Sequence, residues 1–149
     1  MNILYAGTPS NSAKILSYLA KIELFNIKGV LTQPDKKGKR GNNLLESPVA
    51  IAAKDLKLEV FKPENLNSNE IISNIGLLDI DFLVVIAYGK IIPPWLLELP
   101  GVSSINVHFS ILPKYRGASP IQSALLNGDD ISGISIIEMS EALDAGDIF

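Results

Sequence analysis

Hydrophobic positions along the chain alternate between short apolar runs and helical stripes. Residues 2–6 form an apolar run that ends in Gly7-Thr8-Pro9, the pattern of a strand entering a turn. Ile15, Leu16, Leu19 and Ile22 recur at helical spacing and predict one buried helix face. Residues 27–31 predict a second strand. Ser47-Pro48 then supplies an N-cap and a proline at the first helical position, and Val49, Ala52, Ala53 and Leu56 follow at i, i+3, i+4 and i+7. Residues 58–61 predict a third strand, and Asn67 with Glu70 a capping box for a helix running through Ile75. Residues 82–88 are apolar throughout and bounded by Asp81 and Gly89, as a central parallel strand covered on both faces should be. Residues 104–109 and 134–139 predict two more strands. Between them Ser119-Pro120 opens a helix, with Gln122 as capping-box partner and Gly128 placed to end it.

This order predicts an α/β fold, a Rossmann-like open and mostly parallel sheet with helices on both faces and right-handed crossovers. One connection is too long for that plan. Residues 32–46 carry Asp35-Lys36-Lys37-Gly38-Lys39-Arg40-Gly41, and a long basic loop inside a compact α/β domain is uncommon and often functional. The plain alternative is a solvated surface loop.

Composition narrows the function classes. With 47% hydrophobic and 19% charged residues the chain belongs among folded globular proteins, and 149 residues amount to one domain's worth of sequence. A formal charge of −3 argues against coating nucleic acid through the overall field, so any such contact needs a local basic patch. The absence of cysteine excludes disulfides, thiolate metal sites and cysteine nucleophiles, and a single histidine excludes a multi-histidine metal site. No apolar run reaches membrane-spanning length. The chain opens directly into Asn2-Ile3-Leu4 without a signal or transit pattern, so the expectation is a soluble, cytoplasmic protein. The turn Gly7-Thr8-Pro9-Ser10 lacks the dinucleotide fingerprint, and neither a Walker A loop nor a Gly-x-Ser-x-Gly elbow occurs.

The candidate chemistry lies in Ile105-Asn106-Val107-His108-Phe109. Strand alternation puts Ile105, Val107 and Phe109 on one face, and Asn106 and His108 on the other, roughly 7 Å apart. Both stand near the C-terminal end of the strand, where open α/β sheets bind ligands. An amide that can hold a developing oxyanion beside an imidazole that can donate to it or handle a proton suits acyl or formyl transfer. Asp144, in Leu143-Asp144-Ala145-Gly146-Asp147 after the last strand, is a third candidate because a carboxylate orients a lone histidine. Asp147 competes for that place, and spacing alone does not choose between them.

Asn106-Val107-His108, the following Ser110-Ile111-Leu112-Pro113-Lys114-Tyr115-Arg116-Gly117-Ala118 and the later Leu143-Asp144-Ala145-Gly146-Asp147-Ile148 resemble the signature of the formyltransferase family. The resemblance implies an Asn–His–Asp set of Asn106, His108 and Asp144, with 10-formyltetrahydrofolate as formyl donor and no metal. It also implies folate contacts from Ser110, Ile111, Leu112 and Pro113, and from Tyr88, Gly89 and Ile91 after the central strand. Ala6-Gly7-Thr8-Pro9, Thr32-Gln33-Pro34-Asp35, Arg40-Gly41 and Ser47-Pro48-Val49 are similar to the branch that formylates methionyl initiator tRNA. In that branch the basic loop meets the tRNA acceptor stem, which assigns Arg40 a positioning part and Lys36, Lys37 and Lys39 phosphate contacts. The glycine-rich phosphate turn of the purine-pathway branch is missing. An amino-sugar-nucleotide formyltransferase and a folate-binding module without transferase activity are the alternatives. Family members continue into a second, tRNA-binding domain, so residues 1–149 are expected to be a catalytic-domain fragment.

Overall fold

The structure, a computed structural model, describes residues 1–38 and 44–149. Strand β1 (Asn2–Gly7) runs into helix α1 (Ser10–Leu19), then β2 (Asn26–Leu31). A short hairpin of β3 (Lys36–Lys37) and β4 (Leu44–Leu45) follows, then α2 (Pro48–Asp55), β5 (Val60–Phe61) and α3 (Asn69–Gly76). The chain continues through β6 (Phe82–Ile86), α4 (Pro94–Leu97), β7 (Ser103–His108), α5 (Pro120–Leu126) and β8 (Ser135–Glu138). The main sheet has six strands in the order β5-β2-β1-β6-β7-β8. All neighbouring pairs are parallel except β7–β8, which is antiparallel.

The apolar central strand begins where its sequence predicts but ends at Ile86, because Ala87 turns into the left-handed region, and it is paired on both edges by β1 and β7. Its alternate residues feed two cores. Leu83 and Val85 join Leu4, Leu31, Ile75 and Leu96 on the α3–α4 face, while Val84 and Ile86 join Tyr5, Leu16, Val49 and Ala53 on the α1–α2 face. This is the helix-covered, two-faced sheet expected for α/β order.

Several boundaries differ from the periodicity. Helix α1 stops at Leu19, so Ile22 belongs to a following turn in which its N–H donates to the Leu19 carbonyl. Ser68, not Asn67, caps α3 and accepts from the Ile71 N–H at 3.4 Å. The Asn67 side-chain oxygen instead accepts from Trp95 Nε1 at 3.0 Å. Ser119 makes no side-chain cap bond, because its backbone (φ −137, ψ 51) lies outside the extended region from which an N-cap serine reaches the helix. Gly128 does end α5, at φ +69. The last strand is antiparallel to β7 and forms the sheet edge.

The first turn shows why the chain needs glycine there. The buried Tyr5 hydroxyl donates to the Ser12 carbonyl at 2.7 Å and shares a 2.8 Å hydrogen bond with Ser12 Oγ. A Cβ on Gly7 would sit 1.9 Å from that Oγ and 2.9 Å from the Ile86 carbonyl oxygen. Gly7→Ala must therefore displace either Ser12 or the central strand. Such overpacking costs about 1–3 kcal/mol, with loss of the Tyr5 hydrogen bond adding to it. A destabilisation of about 2 kcal/mol or more is expected in denaturant unfolding, and an unchanged midpoint would contradict this packing.

Candidate active site

In β7 the register sets Ile105 beside Val84 and Asn106 beside Val85. Ile105, Val107 and Phe109 pack into the α1–α2 core, so Asn106 and His108 fall on the opposite face at the C-terminal end of the strand. The segment after β8 folds back over this face. Gly146 makes that return possible, since a Cβ there would lie 1.8 Å from the Glu138 carbonyl oxygen. The Glu138 N–H donates to the Asp147 carbonyl, and Ile148 bridges Ile137.

Asp144 thereby arrives at β7. Its Oδ1 accepts from Asn106 Nδ2 at 3.2 Å, and its Oδ2 accepts from the Gly117 N–H at 2.8 Å. His108 Nδ1 stands 3.6 Å from Oδ2, and both side chains are buried (5% and 7% exposed). His108 Nε2 is 3.0 Å from the Tyr115 carbonyl oxygen, so Nε2 carries the hydrogen and donates. The other ring nitrogen, Nδ1, faces the Asp144 carboxylate. Asp147 is exposed and, among the described residues, takes part through its backbone carbonyl.

A cavity of about 530 Å³ opens over these three side chains. Tyr88, Gly89 and Ile91 line it together with Lys90, Ile92, Leu97, Ala118 and Leu143. The Tyr88 carbonyl accepts from Thr8 Oγ1 at 2.7 Å and Gln33 Nε2 at 3.0 Å, which ties the turns after β1, β2 and β6 together. Ser110, Ile111, Leu112 and Pro113 are not among the cavity's walls. The Ser110 hydroxyl donates to the Lys114 carbonyl at 2.6 Å, and the Leu112 N–H donates to Ser135 Oγ at 3.1 Å. Ile111 faces a second, smaller hollow beside Tyr115 and Asp129. This network braces the turn that carries the Tyr115 carbonyl to His108.

Two contributors escape a reading of side chains, because the Tyr115 carbonyl and the Gly117 N–H are backbone groups present at every position. Their visible trace is conformational. Ala87 (φ 51), Tyr115 (φ 56) and Asp144 (φ 48) occupy the left-handed region, which non-glycine residues seldom adopt, and all three border the site.

Lys36 and Lys37 lie on β3, paired with Leu45 and Leu44, and do not line the cavity. What the sequence presents as one long loop is therefore, at its ends, a two-stranded arm. Lys39 and Arg40 lie outside the described residues. Among the described residues no helix is long and apolar enough to cross a membrane, and no group of three or more His, Asp or Glu side chains is arranged to hold a metal ion.

A doubly wound sheet with a ligand-sized cavity over the C-terminal ends of its central strands defines a class of α/β proteins that bind small molecules at that edge. The formyl transferase family model matches residues 1–149, and the chain belongs to that family. It is 46% identical over 149 residues to a methionyl-tRNA formyltransferase of Prochlorococcus marinus subsp. pastoris, covering 99% of this chain and 45% of that protein. It is 48% identical over 148 residues to the methionyl-tRNA formyltransferase of Mycoplasmopsis pulmonis, covering 99% and 50%. The chain thus spans about half the length of the curated relatives it matches. Among solved structures, glycinamide ribonucleotide transformylase 1 of Geobacillus kaustophilus superposes with a TM-score of 0.77 at 21% identity, covering 99% of this chain and 79% of that one. A sugar N-formyltransferase from a Shewanella species superposes at 0.65 and 19%, covering 99% and 55%. Both share the fold.

Tyr88 carries a cost at this site. Its hydroxyl is buried without a hydrogen-bond partner among the described residues, and burial pushes its pKa up to about 12. Burial likewise raises Tyr5 to about 12, against the opposing hydrogen bond from Ser12. A folded-state pKa above the unfolded value of 10 gives stability that is complete below pH 10 and is lost as pH rises towards 12. Tyr88→Phe should raise the thermal midpoint at neutral pH, by an amount worth about 1 kcal/mol, and should shrink the alkaline loss between pH 10 and 12. Melting curves of parent and variant across that range test both effects, and a lower neutral midpoint in the variant would show that the hydroxyl is satisfied.

Proposed function

We propose that residues 1–149 are the catalytic domain of a methionyl-tRNA formyltransferase, which transfers a formyl group from 10-formyltetrahydrofolate to the amine of methionine on initiator tRNA. The observation that carries this reading is the convergence of Asn106, His108 and Asp144 beneath one cavity, alongside 46% and 48% identity to proteins of that name. The cavity volume lies within the usual range for small-molecule sites, about 300–1,000 Å³. Its walls offer apolar surface from Ile91, Leu97 and Leu143 to a flat ring system, and the Tyr88-Gly89 turn frames one side. The folate supplies a formyl carbonyl open to attack by the uncharged methionine amine. Ser110, Ile111, Leu112 and Pro113 act in this reading through the turn they brace, which holds the Tyr115 carbonyl against His108.

The chemistry is direct transfer without a covalent enzyme intermediate. Asn106 Nδ2 spends one N–H on Asp144 and keeps the other for the carbonyl oxygen as it gains charge. His108, held between the Tyr115 carbonyl and Asp144, stands beside that oxygen, where its ring relays a proton during the transfer. Asp144, anchored by the Gly117 N–H, orients His108. The new bond from the amine to the formyl carbon replaces that carbon's bond to the folate nitrogen. The proton lost by the amine passes by way of His108 and Asp144 to the departing nitrogen, which leaves as tetrahydrofolate. The basic arm bearing Lys36, Lys37, Lys39 and Arg40 lies against the acceptor stem, with Arg40 positioning and the lysines meeting phosphates.

In the full-length protein, His108→Ala or Asn106→Ala should lower the formylation rate by roughly 10²–10³, the scale of a lost oxyanion donor or acid–base group. Asp144→Asn should suppress activity and change the pH–rate profile, while Asp147→Asn should do much less. Steady-state kinetics with methionyl-tRNA and 10-formyltetrahydrofolate decide this, and near-normal turnover in the first pair, or equal loss in the second, would reverse the assigned roles. For the arm, Arg40→Ala should impair use of methionyl-tRNA with folate binding almost unchanged. Replacing Lys36, Lys37 and Lys39 with alanine should weaken tRNA binding and flatten its salt dependence, because fewer counterions are released. Loop variants that match the parent at every salt concentration would remove the tRNA contact.

A further inference from the structure

Among the described residues, the basic arm has little of its own to hold it in place. Its strands are two residues each, and Leu44 and Leu45 are exposed rather than packed. An isolated two-stranded ribbon of this size is at best marginal in water. Its direction must therefore be set at its base.

Lys62, directly after β5, stands at that base. Its Nζ donates to Asp35 Oδ1 at 2.7 Å and also to Glu46 Oε1. Asp35 immediately precedes β3 and Glu46 immediately follows β4, so one ammonium group spans the entry and exit of the arm. Lys54 on α2 adds a second donor to Glu46 at 2.5 Å. The Lys62 side chain is 22% exposed, with Asp35 and Glu46 at 25% and 29%, which shields the cluster from solvent more than an ordinary surface pair. Hydrogen bonds from Lys54 and Lys62 hold the Glu46 carboxyl at about 2, far below the usual carboxylate value. Burial acts to lower the Lys62 pKa, but its bonds to Asp35 and Glu46 outweigh that and leave it raised. On the other side of the base, Gln33 reaches the Tyr88 and Gly89 carbonyls at the cavity, and Thr32 Oγ1 meets Ser47 Oγ at 2.6 Å.

We propose that Lys62 is a positioning residue for the acceptor substrate: by clasping Asp35 and Glu46 it closes the base of the basic arm and fixes the arm's direction relative to the catalytic cavity. This rests on the tRNA-binding reading of the arm. Lys62 touches neither the cavity nor the reacting atoms, so its effect belongs to binding of the tRNA and not to the chemical step.

The test compares Lys62→Met, which keeps the apolar stem and removes the charge, with Lys62→Arg, which keeps the charge. An Asp35→Asn/Glu46→Gln double variant reaches the same clasp from its acid side. In the full-length protein, Lys62→Met and the double variant should raise the KM for methionyl-tRNA about tenfold, with kcat at saturating tRNA and folate affinity within about twofold of the parent. Lys62→Arg should restore most of the loss. Limited trypsin digestion supplies a second readout that needs no substrate. Cleavage after Lys36, Lys37, Lys39 or Arg40 should be several-fold faster in Lys62→Met and the double variant, and at the parent rate in Lys62→Arg. Parent-like KM and cleavage in both charge-removing variants would overturn the proposal, as would a fall in folate affinity or kcat equal to the rise in KM. A parent protein that does not use methionyl-tRNA would overturn the functional reading alone, and the trypsin pattern would then decide the clasp by itself.

Discussion

A buried carboxylate must be met by donors, and Asp144 meets this requirement by drawing three remote segments to one point. It bonds Asn106, 38 residues earlier on β7, and the Gly117 N–H, 27 residues earlier in the turn before α5. It also faces His108 Nδ1. Leaving such a group buried without partners would cost several kcal/mol, so the turn after β7, the strand end and the return segment after β8 hold together as one unit. The antiparallel course of β8 makes this possible. Running opposite to β7, it releases the chain at the far edge, and the bare backbone of Gly146 lets the return segment lie directly against Glu138 and bring Asp144 back. Left-handed backbone at Ala87, Tyr115 and Asp144 is concentrated around the same unit, as strain tolerated where surrounding hydrogen bonds over-determine the geometry.

A second set of polar ties joins the cavity to the arm. The carbonyl of Tyr88 accepts from Thr8 and Gln33, and Gly89 comes so close to Gln33 that a Cβ would stand 2.4 Å from its Nε2. Gln33 is also the second residue of the long connection leading to β3. The rim of the cavity and the root of the arm therefore share hydrogen bonds, and the Lys62 cluster closes the arm from the opposite side.

The same sheet supports glycinamide ribonucleotide and sugar formyltransferases at about 20% identity, so the fold does not identify the acceptor. Discrimination belongs to what is added at the strand ends. In this chain a basic arm interrupts the sheet order within a protein of net charge −3, and the acceptor-binding part proposed for it rests on that local concentration of positive charge.

The sequence by itself determined the α/β order, the central strand and the two-faced β7 with Asn106 and His108 on one side, because periodicity and strand alternation are local properties of neighbouring residues. Asn106 and His108 had to share a face once residues 104–109 were a strand. Choosing Asp144 over Asp147 from spacing was not possible, since both sit in one short turn. The tertiary structure separates them, with Asp144 turned inward onto donors and Asp147 exposed. Helix caps were legible in part: Ser47 caps α2 as its sequence predicts, whereas Trp95 occupies the Asn67 oxygen while Ser68 caps α3, and the backbone of Ser119 lies outside the extended region that a cap needs. The antiparallel direction of β8, the bracing part of Ser110 and Leu112, and the clasp of Lys62 across the arm were likewise decided in three dimensions. Each depends on a partner tens of residues away or on a backbone group that every residue carries, and no local pattern encodes which of these will meet.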